Sequence, residues 1–266
     1  MPTLKKSIQT SLFALVGLTV SAIANAEVDG LLYATTPLDY ELPKQITATC
    51  YEKENCPSIE VVYVDTNQVW LNVQMNRRIE EIAIGSTSMV EDAPKPAGII
   101  EALNRFSLRQ LDDLPKDSGL YYALSVTPSY QGHIDDFELF AIDGYTYMGG
   151  AHGLPFTENM VFDLNTRQQI TLDDMLLPKQ KPKFEALAHQ AYRQWIRHAM
   201  PDANAEDYER GWTFSLSDNV TFGADGIEIL YQPYEISPYA MGMPKLVVDY
   251  DQLDGIIKPE ILAKLQ

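Results

Sequence analysis

The chain has 266 residues, 45% of them hydrophobic, enough to bury the core of one large or two small domains. It carries 20 Lys and Arg against 37 Asp and Glu, a formal net charge of −17. A surface this acidic repels nucleic acid and anionic lipid and favours cationic proteins or metal ions.

Lys5 and Lys6, the apolar run over residues 11–24 and the triplet Ala24-Asn25-Ala26 have the three parts of a cleaved signal peptide over residues 1–26. The run is shorter than the ~20 residues a membrane span needs, and no other stretch is longer. The mature chain is expected to begin at Glu27, to be exported (periplasmic or secreted) and to carry no transmembrane segment. Loss of the two lysines takes the net charge to −19. In an oxidising compartment Cys50 and Cys56 are expected to pair as a disulfide. Closing so short a loop contributes about 2 kcal/mol in the chain-entropy treatment. The spacing is not C-x-x-C and no histidine is near, which argues against redox and zinc roles.

Residues 27–57, with Pro37, Pro43 and Pro57, read as extended and irregular. The β-branched run 58–64 predicts a strand. Residues 69–85 alternate like a strand at Val69, Leu71, Val73 and Met75, and recur like a helix at Leu71, Met75, Ile79 and Ile82. The helix is preferred, ended by Gly85. Residues 91–98 form a loop, and 99–114 a second helix stopped by Pro115. From Leu120 the period is two. A strand through Tyr122, Leu124 and Val126 is followed by a hairpin connection at 129–135 and a strand at 136–143. A third strand, 156–164, follows a glycine-rich loop. Thr171 caps a short helical turn with Asp174 at its third position.

The clearest helix runs over 181–200, with Phe184, Leu187, Ala188, Ala191 and Trp195 on one stripe. Asp225-Gly226 turns between two short strands, 244–250 is a last strand, and Pro259 opens a C-terminal helix. Strands and helices come in blocks, which predicts an α+β fold of antiparallel sheet packed with a few helices. The halves divide at 27–143 and 144–266.

No G-x-S-x-G, H-E-x-x-H, Walker A or G-x-G-x-x-G motif occurs. In "YTYMGGAHG" (145–153), Gly149, Gly150 and Gly153 are expected to shape a turn, and His152 to bond to backbone there. His133, His189 and His198 form no metal spacing with His152, so neither metal nor cofactor is expected. The carboxylate pairs Asp135/Asp136, Asp173/Asp174 and Glu206/Asp207 suit glycoside hydrolysis in principle, and arise readily by chance in so acidic a chain. The stretch 201–211, counted from Asp202, lacks the glycine at the sixth position of a calcium loop, with Asp207 in its place. Catalysis is therefore not indicated. The second unusual stretch is "YQPYEISPYAMGMPKL" (231–246), whose prolines make a stiff loop and whose tyrosines suit either a binding surface or a buried clasp.

Taken in order, Gly-Gly-Ala-His, Phe-Asp-Leu, Leu-x-Asp and Tyr-Glu-Ile-x-Pro-Tyr-x-x-Gly resemble the RsiV-like domain family, found in a lysozyme-sensing anti-sigma factor and in some peptidoglycan deacetylases. The match is specific from residue 145 on. The upstream half, with Asn76 in "MNRRIEEI", looks like that family's usual partner domain. Met148 stands where the family often has threonine, and Arg167 where glycine is common. Neither the anchor of the anti-sigma factor nor the catalytic domain of the deacetylases is expected from these 266 residues. The resemblance implies a non-enzymatic binding module of the cell envelope, contacting lysozyme or another cell-wall-associated protein through His152, Tyr234, Glu235, Pro238 and Tyr239. An enzyme acting on peptidoglycan and an envelope-assembly protein are the alternatives.

Overall fold

The computed structural model describes residues 30–51, 54–87, 95–115 and 118–265. The signal expected over residues 1–26 lies outside the described residues, as do residues 91–94 of the expected loop.

The region expected to be irregular holds a strand, β1 (Tyr33–Pro37), and a helix, α1 (Lys44–Cys50). Pro43 starts the helix, and Ile46 and Cys50, one turn apart, are its buried residues. Cys50 is disulfide-bonded to Cys56. The β-branched run forms β2 (Ser58–Thr66), followed by α2 (Val69–Thr87) and α3 (Ile99–Asp113). In α2 the helical set Leu71, Met75, Ile79 and Ile82 is buried, while Val69 and Val73 face solvent. Gly85 does not end α2, which runs on to Thr87; one glycine costs a helix only about 1 kcal/mol.

The sheet continues through β3 (Ala123–Ile134), β4 (Phe137–Tyr147), β5 (Leu154–Asp163) and β6 (Gln168–Ile170), in the order β1-β2-β3-β4-β5-β6. Every pair is antiparallel except β2 with β3, which is parallel and bridged by α2 and α3. Residues 129–134, expected in the hairpin connection, are strand. β3 passes through a bulge at Tyr130/Gly132, with Gly132 at φ 108°, and Asp135 makes the reversal at φ 52°. The β5–β6 turn holds Arg167 at φ 57°, a conformation that favours glycine.

Next come α4 (Leu172–Met175), α5 (Lys181–Ala199) and α6 (Ala205–Gly211). Thr171 and Asp174 form the expected capping box. The stripe of α5 is centred one residue past the expected set: Phe184, Ala188, Ala191, Tyr192 and Ile196 are buried, with Leu187 and Trp195 at its margin. α6 occupies the stretch set aside as a calcium-like loop. Its start is made by Asn204, whose side chain accepts from the N–H groups of Glu206 and Asp207. A second sheet, β7 (Val220–Phe222), β8 (Gly226–Leu230) and β9 (Lys245–Asp249), precedes α7 (Pro259–Leu265).

Two apolar cores share one wall. Phe137, Leu139 and Val161 pack with α5 and the small sheet, while Phe140, Ile142, Met160 and Phe162 pack with α2 and α3 on the opposite face. Residues 137–142 of β4 are therefore buried on both sides. The expected division between residues 143 and 144 falls inside β4, where Asp143 and Gly144 pair with the same two neighbouring strands.

A fragment of residues 144–266 begins mid-strand and lacks Phe137 and Leu139. It is expected to melt without a cooperative calorimetric transition, and a sharp transition would show that the halves fold separately. In the capping box, the hydroxyl and then the backbone N–H of Thr171 hold Asp174 below the usual carboxylate range. That contribution is complete above the unfolded carboxylate pKa and is lost as pH falls through the lower folded value. Thr171→Ala is expected to cost about 1 kcal/mol at neutral pH in urea unfolding, with a smaller deficit in acid.

Candidate functional site

The glycine-rich segment lies between β4 and β5. Gly149 has φ 79°, and a Cβ there would sit 2.3 Å from Leu114 Cδ2. A Cβ on Gly153 would meet the Tyr145 ring at 2.2 Å. Both glycines are thus demanded by shape, one by backbone conformation and one by close approach. Gly150 shows neither feature.

The proline-tyrosine loop leaves β8 and is fixed at its root. The Tyr231 ring is buried, and its hydroxyl donates to Ser215 O at 2.9 Å. The Gln232 amide grips one residue of β5: Oε1 accepts from Thr157 N at 3.1 Å and Nε2 donates to Thr157 O at 2.7 Å. Asn219 grips beside it, donating to Thr157 O at 2.7 Å and accepting from Asn159 N at 2.8 Å. β6 pairs only with residues 161–163, so these two amides occupy the outer edge of β5 where no strand reaches.

From that root the loop turns tightly. Glu235 N donates to Gln232 O, and the Glu235 carboxylate accepts from Gln232 N at 2.6 Å. Tyr234, at the apex, has φ 74°, a strained conformation for a residue with a Cβ. Ile236 is buried, and its carbonyl accepts from the Tyr192 hydroxyl at 3.0 Å. Pro238 leads into a single 3₁₀ turn at Tyr239–Met241.

The two segments meet at His152. Its ring stacks on Tyr239 with centroids 3.8 Å apart and 22° between planes. The Tyr234 hydroxyl lies 3.2 Å from His152 Nε2, and the Tyr234 and Tyr239 rings are 5.7 Å apart. His152 Nδ1 is 3.0 Å from Gly153 O, which also accepts from the Tyr239 hydroxyl at 3.0 Å. A carbonyl only accepts, so Nδ1 carries a proton, and Nε2 faces the Tyr234 hydroxyl, which can donate or accept there. Tyr234 is 48% exposed. The surface is thus aromatic, with polar tips and a fixed backbone beneath.

His152, Tyr234 and Tyr239 come together, with Pro238 adjoining. Glu235 is turned back onto its own backbone. In each carboxylate pair raised for hydrolysis at least one member has another partner: Asp136 binds Lys264 and Asn165, Asp173 binds Lys181, Asp174 caps α4 and Asp207 binds Arg210. His189 pairs with Glu209 and stacks on Phe214. Among the described residues, no group of three or more His, Cys, Asp and Glu is arranged to hold a metal ion. A cavity of about 340 Å³ lies beyond Leu114, lined also by Cys50, Asn55 and Gln110. The Gln110 amide there is bonded to Asn55 O and Tyr122 N, so it serves the fold. Sequence reasoning missed Gln232, Asn219 and Thr157, single polar residues with no periodic or motif signal.

Residues 173–251 match the family model described as "Protein of unknown function (DUF3298)". No functionally curated protein matches the chain. Two solved structures are similar to it. One is a DUF3298 family protein from Pseudomonas aeruginosa PAO1, at 22% identity and TM-score 0.61, covering 87% of this chain and 94% of its own. The other is a member of the same family from Bacteroides fragilis NCTC 9343, at 18% identity and TM-score 0.64, covering 89% and 97%. At these identities the likeness is one of fold.

Gln232→Ala leaves the Thr157 N–H without its side-chain partner. It is expected to cost about 1–2 kcal/mol and to free the loop. The ring-current shift that Tyr239 imposes on the His152 ring protons should then collapse toward the free-histidine value. Unchanged shifts would show that the loop is held by something else.

Proposed function

We propose that the chain is an exported, non-enzymatic binding module of the cell envelope. Its contact surface is the cluster of His152, Tyr234 and Tyr239, and its partner is a cationic protein such as lysozyme. The observation that carries this reading is the convergence of the glycine-histidine turn and the proline-tyrosine loop on one exposed aromatic surface. Tyrosine contributes large rigid contact area with little entropy to lose. The strain at Tyr234 supports the same reading, because unfavourable φ persists where it presents a functional side chain.

The net charge of −17 supports electrostatic steering toward a basic partner. The Cys50–Cys56 disulfide supports an oxidising compartment. Among the described residues no helix is long and apolar enough to cross a membrane. The RsiV-like resemblance, with residues before 144 as the partner domain, supplies lysozyme as the first partner to test.

Titration with a c-type lysozyme at low and physiological ionic strength is expected to give salt-weakened binding, lost in Tyr234→Ala. No salt-sensitive binding at micromolar concentration would sink the lysozyme assignment. Tyr234→Gly relieves the left-handed strain, worth about 1 kcal/mol. It should hold or raise the melting temperature while weakening binding about tenfold or more. A variant that loses stability and keeps affinity would make Tyr234 a structural residue.

A further inference from the structure

On the α5 side of the main sheet, the apolar core reaches only to Leu139 and Val161. Past those residues the same face becomes polar. Register sets three cross-strand rows: Ser125–Tyr145–Pro155, Thr127–Asp143–Thr157 and Ser129–Ala141–Asn159. Residues directly opposite one another share a face. Ser125, Thr127, Ser129, Asp143 and Thr157 are all partly exposed, and Tyr145 is 39% exposed. This is a patch of hydroxyls and one ring around a central carboxylate.

Asp143 is bound only by neutral donors. Oδ1 accepts from Thr157 Oγ1 at 2.6 Å and Oδ2 from Ser129 Oγ at 3.2 Å. None of the ion pairs among the described residues includes it. Each oxygen keeps a free lone pair, and the charge is uncompensated in a half-covered site. Of the two hydroxyls that donate to it, Ser129 Oγ already accepts from Gln131 Nε2 at 2.8 Å, while Thr157 Oγ1 keeps its lone pairs for a further N–H donor. Tyr145, two residues on, presents a ring on the same face. It packs on Gly153, whose carbonyl takes the Tyr239 hydroxyl. The polar face is therefore continuous with the His152 cluster.

We propose that Asp143 is the receptor for a lysine or arginine side chain presented by a basic segment of the partner, flanked by Tyr145. Charge complementarity carries this choice. A single carboxylate ringed by neutral acceptors and an aromatic edge favours a cation and repels phosphate. The inference rests on the reading of the adjoining cluster as a protein-binding surface, and it names the residue that selects for basic partners.

The probe is a tetra-arginine peptide titrated at low salt into the full chain and followed by amide chemical shifts. In the parent protein, shifts are expected to cluster at Thr127, Ser129, Asp143, Tyr145 and Thr157. Asp143→Asn keeps an acceptor for Thr157 and should weaken the peptide about tenfold. Asp65→Asn, an equal charge change at an exposed residue of β2, should weaken it less than about twofold. Shifts scattered over other acidic surface, or equal losses in the two variants, would overturn the proposal. Peptide discrimination by Asp143 without lysozyme binding would leave this site standing and remove lysozyme as partner. Lysozyme binding that depends on Tyr234 but is unchanged in Asp143→Asn would remove this site alone.

Discussion

The amides of Gln232 and Asn219 on the outer edge of β5 are the joint on which the arrangement depends. A strand edge left open needs partners for its N–H and C=O groups and invites pairing with other chains. Here two side chains from the small-sheet region supply those partners at Thr157 and Asn159. The same bonds fix the proline-tyrosine loop against the large sheet. Tyr234 follows Gln232 by two residues, and His152 precedes Thr157 by five, so gripping Thr157 brings the ring pair into reach. Distance along the chain is large and distance in space is small because one backbone unit is held from both directions.

A second constraint makes the joint rigid. β4 and β5 are walls of two cores, so neither strand shifts register without turning both sets of apolar side chains the wrong way. Phe137 and Leu139 commit one face, and Phe140 and Ile142 the other. Past Ile142 the backbone pairing continues unchanged while the side chains change character. Gly144 lets the Phe156 ring lie across one face, and Asp143 and Tyr145 open the other to solvent. Core and candidate surface are thus successive stretches of the same strands. The surface inherits its order from the core.

Much of this was legible in the residues themselves. The helical set in α2 and the Thr171–Asp174 box each carry a local physical signal, and each forms; the turn expected at Asp225-Gly226 falls at residues 223–225, with Gly226 already in β8. Elements without such a signal were missed. α1 has two buried residues and follows a proline; β6 is three residues long; α6 depends on one asparagine cap. The bulge at Gly132 hid the length of β3, because a bulge breaks the two-residue period that marks a strand. The parallel pairing of β2 with β3 is a non-local fact, and no window of sequence records it. At the site, the glycines, His152 and the tyrosines stood out by composition. Their contact across eighty residues rests on the amides of Gln232 and Asn219, which look like any polar loop residues.

Hydrogen–deuterium exchange of the full chain with and without a c-type lysozyme probes the joint surface directly, because it reads both loops at once. A contact surface built from both loops requires protection of residues 148–155 and 232–241 together, with α2 and α3 unchanged. Protection confined to the helical face, or to one loop without the other, would contradict a binding surface assembled at His152.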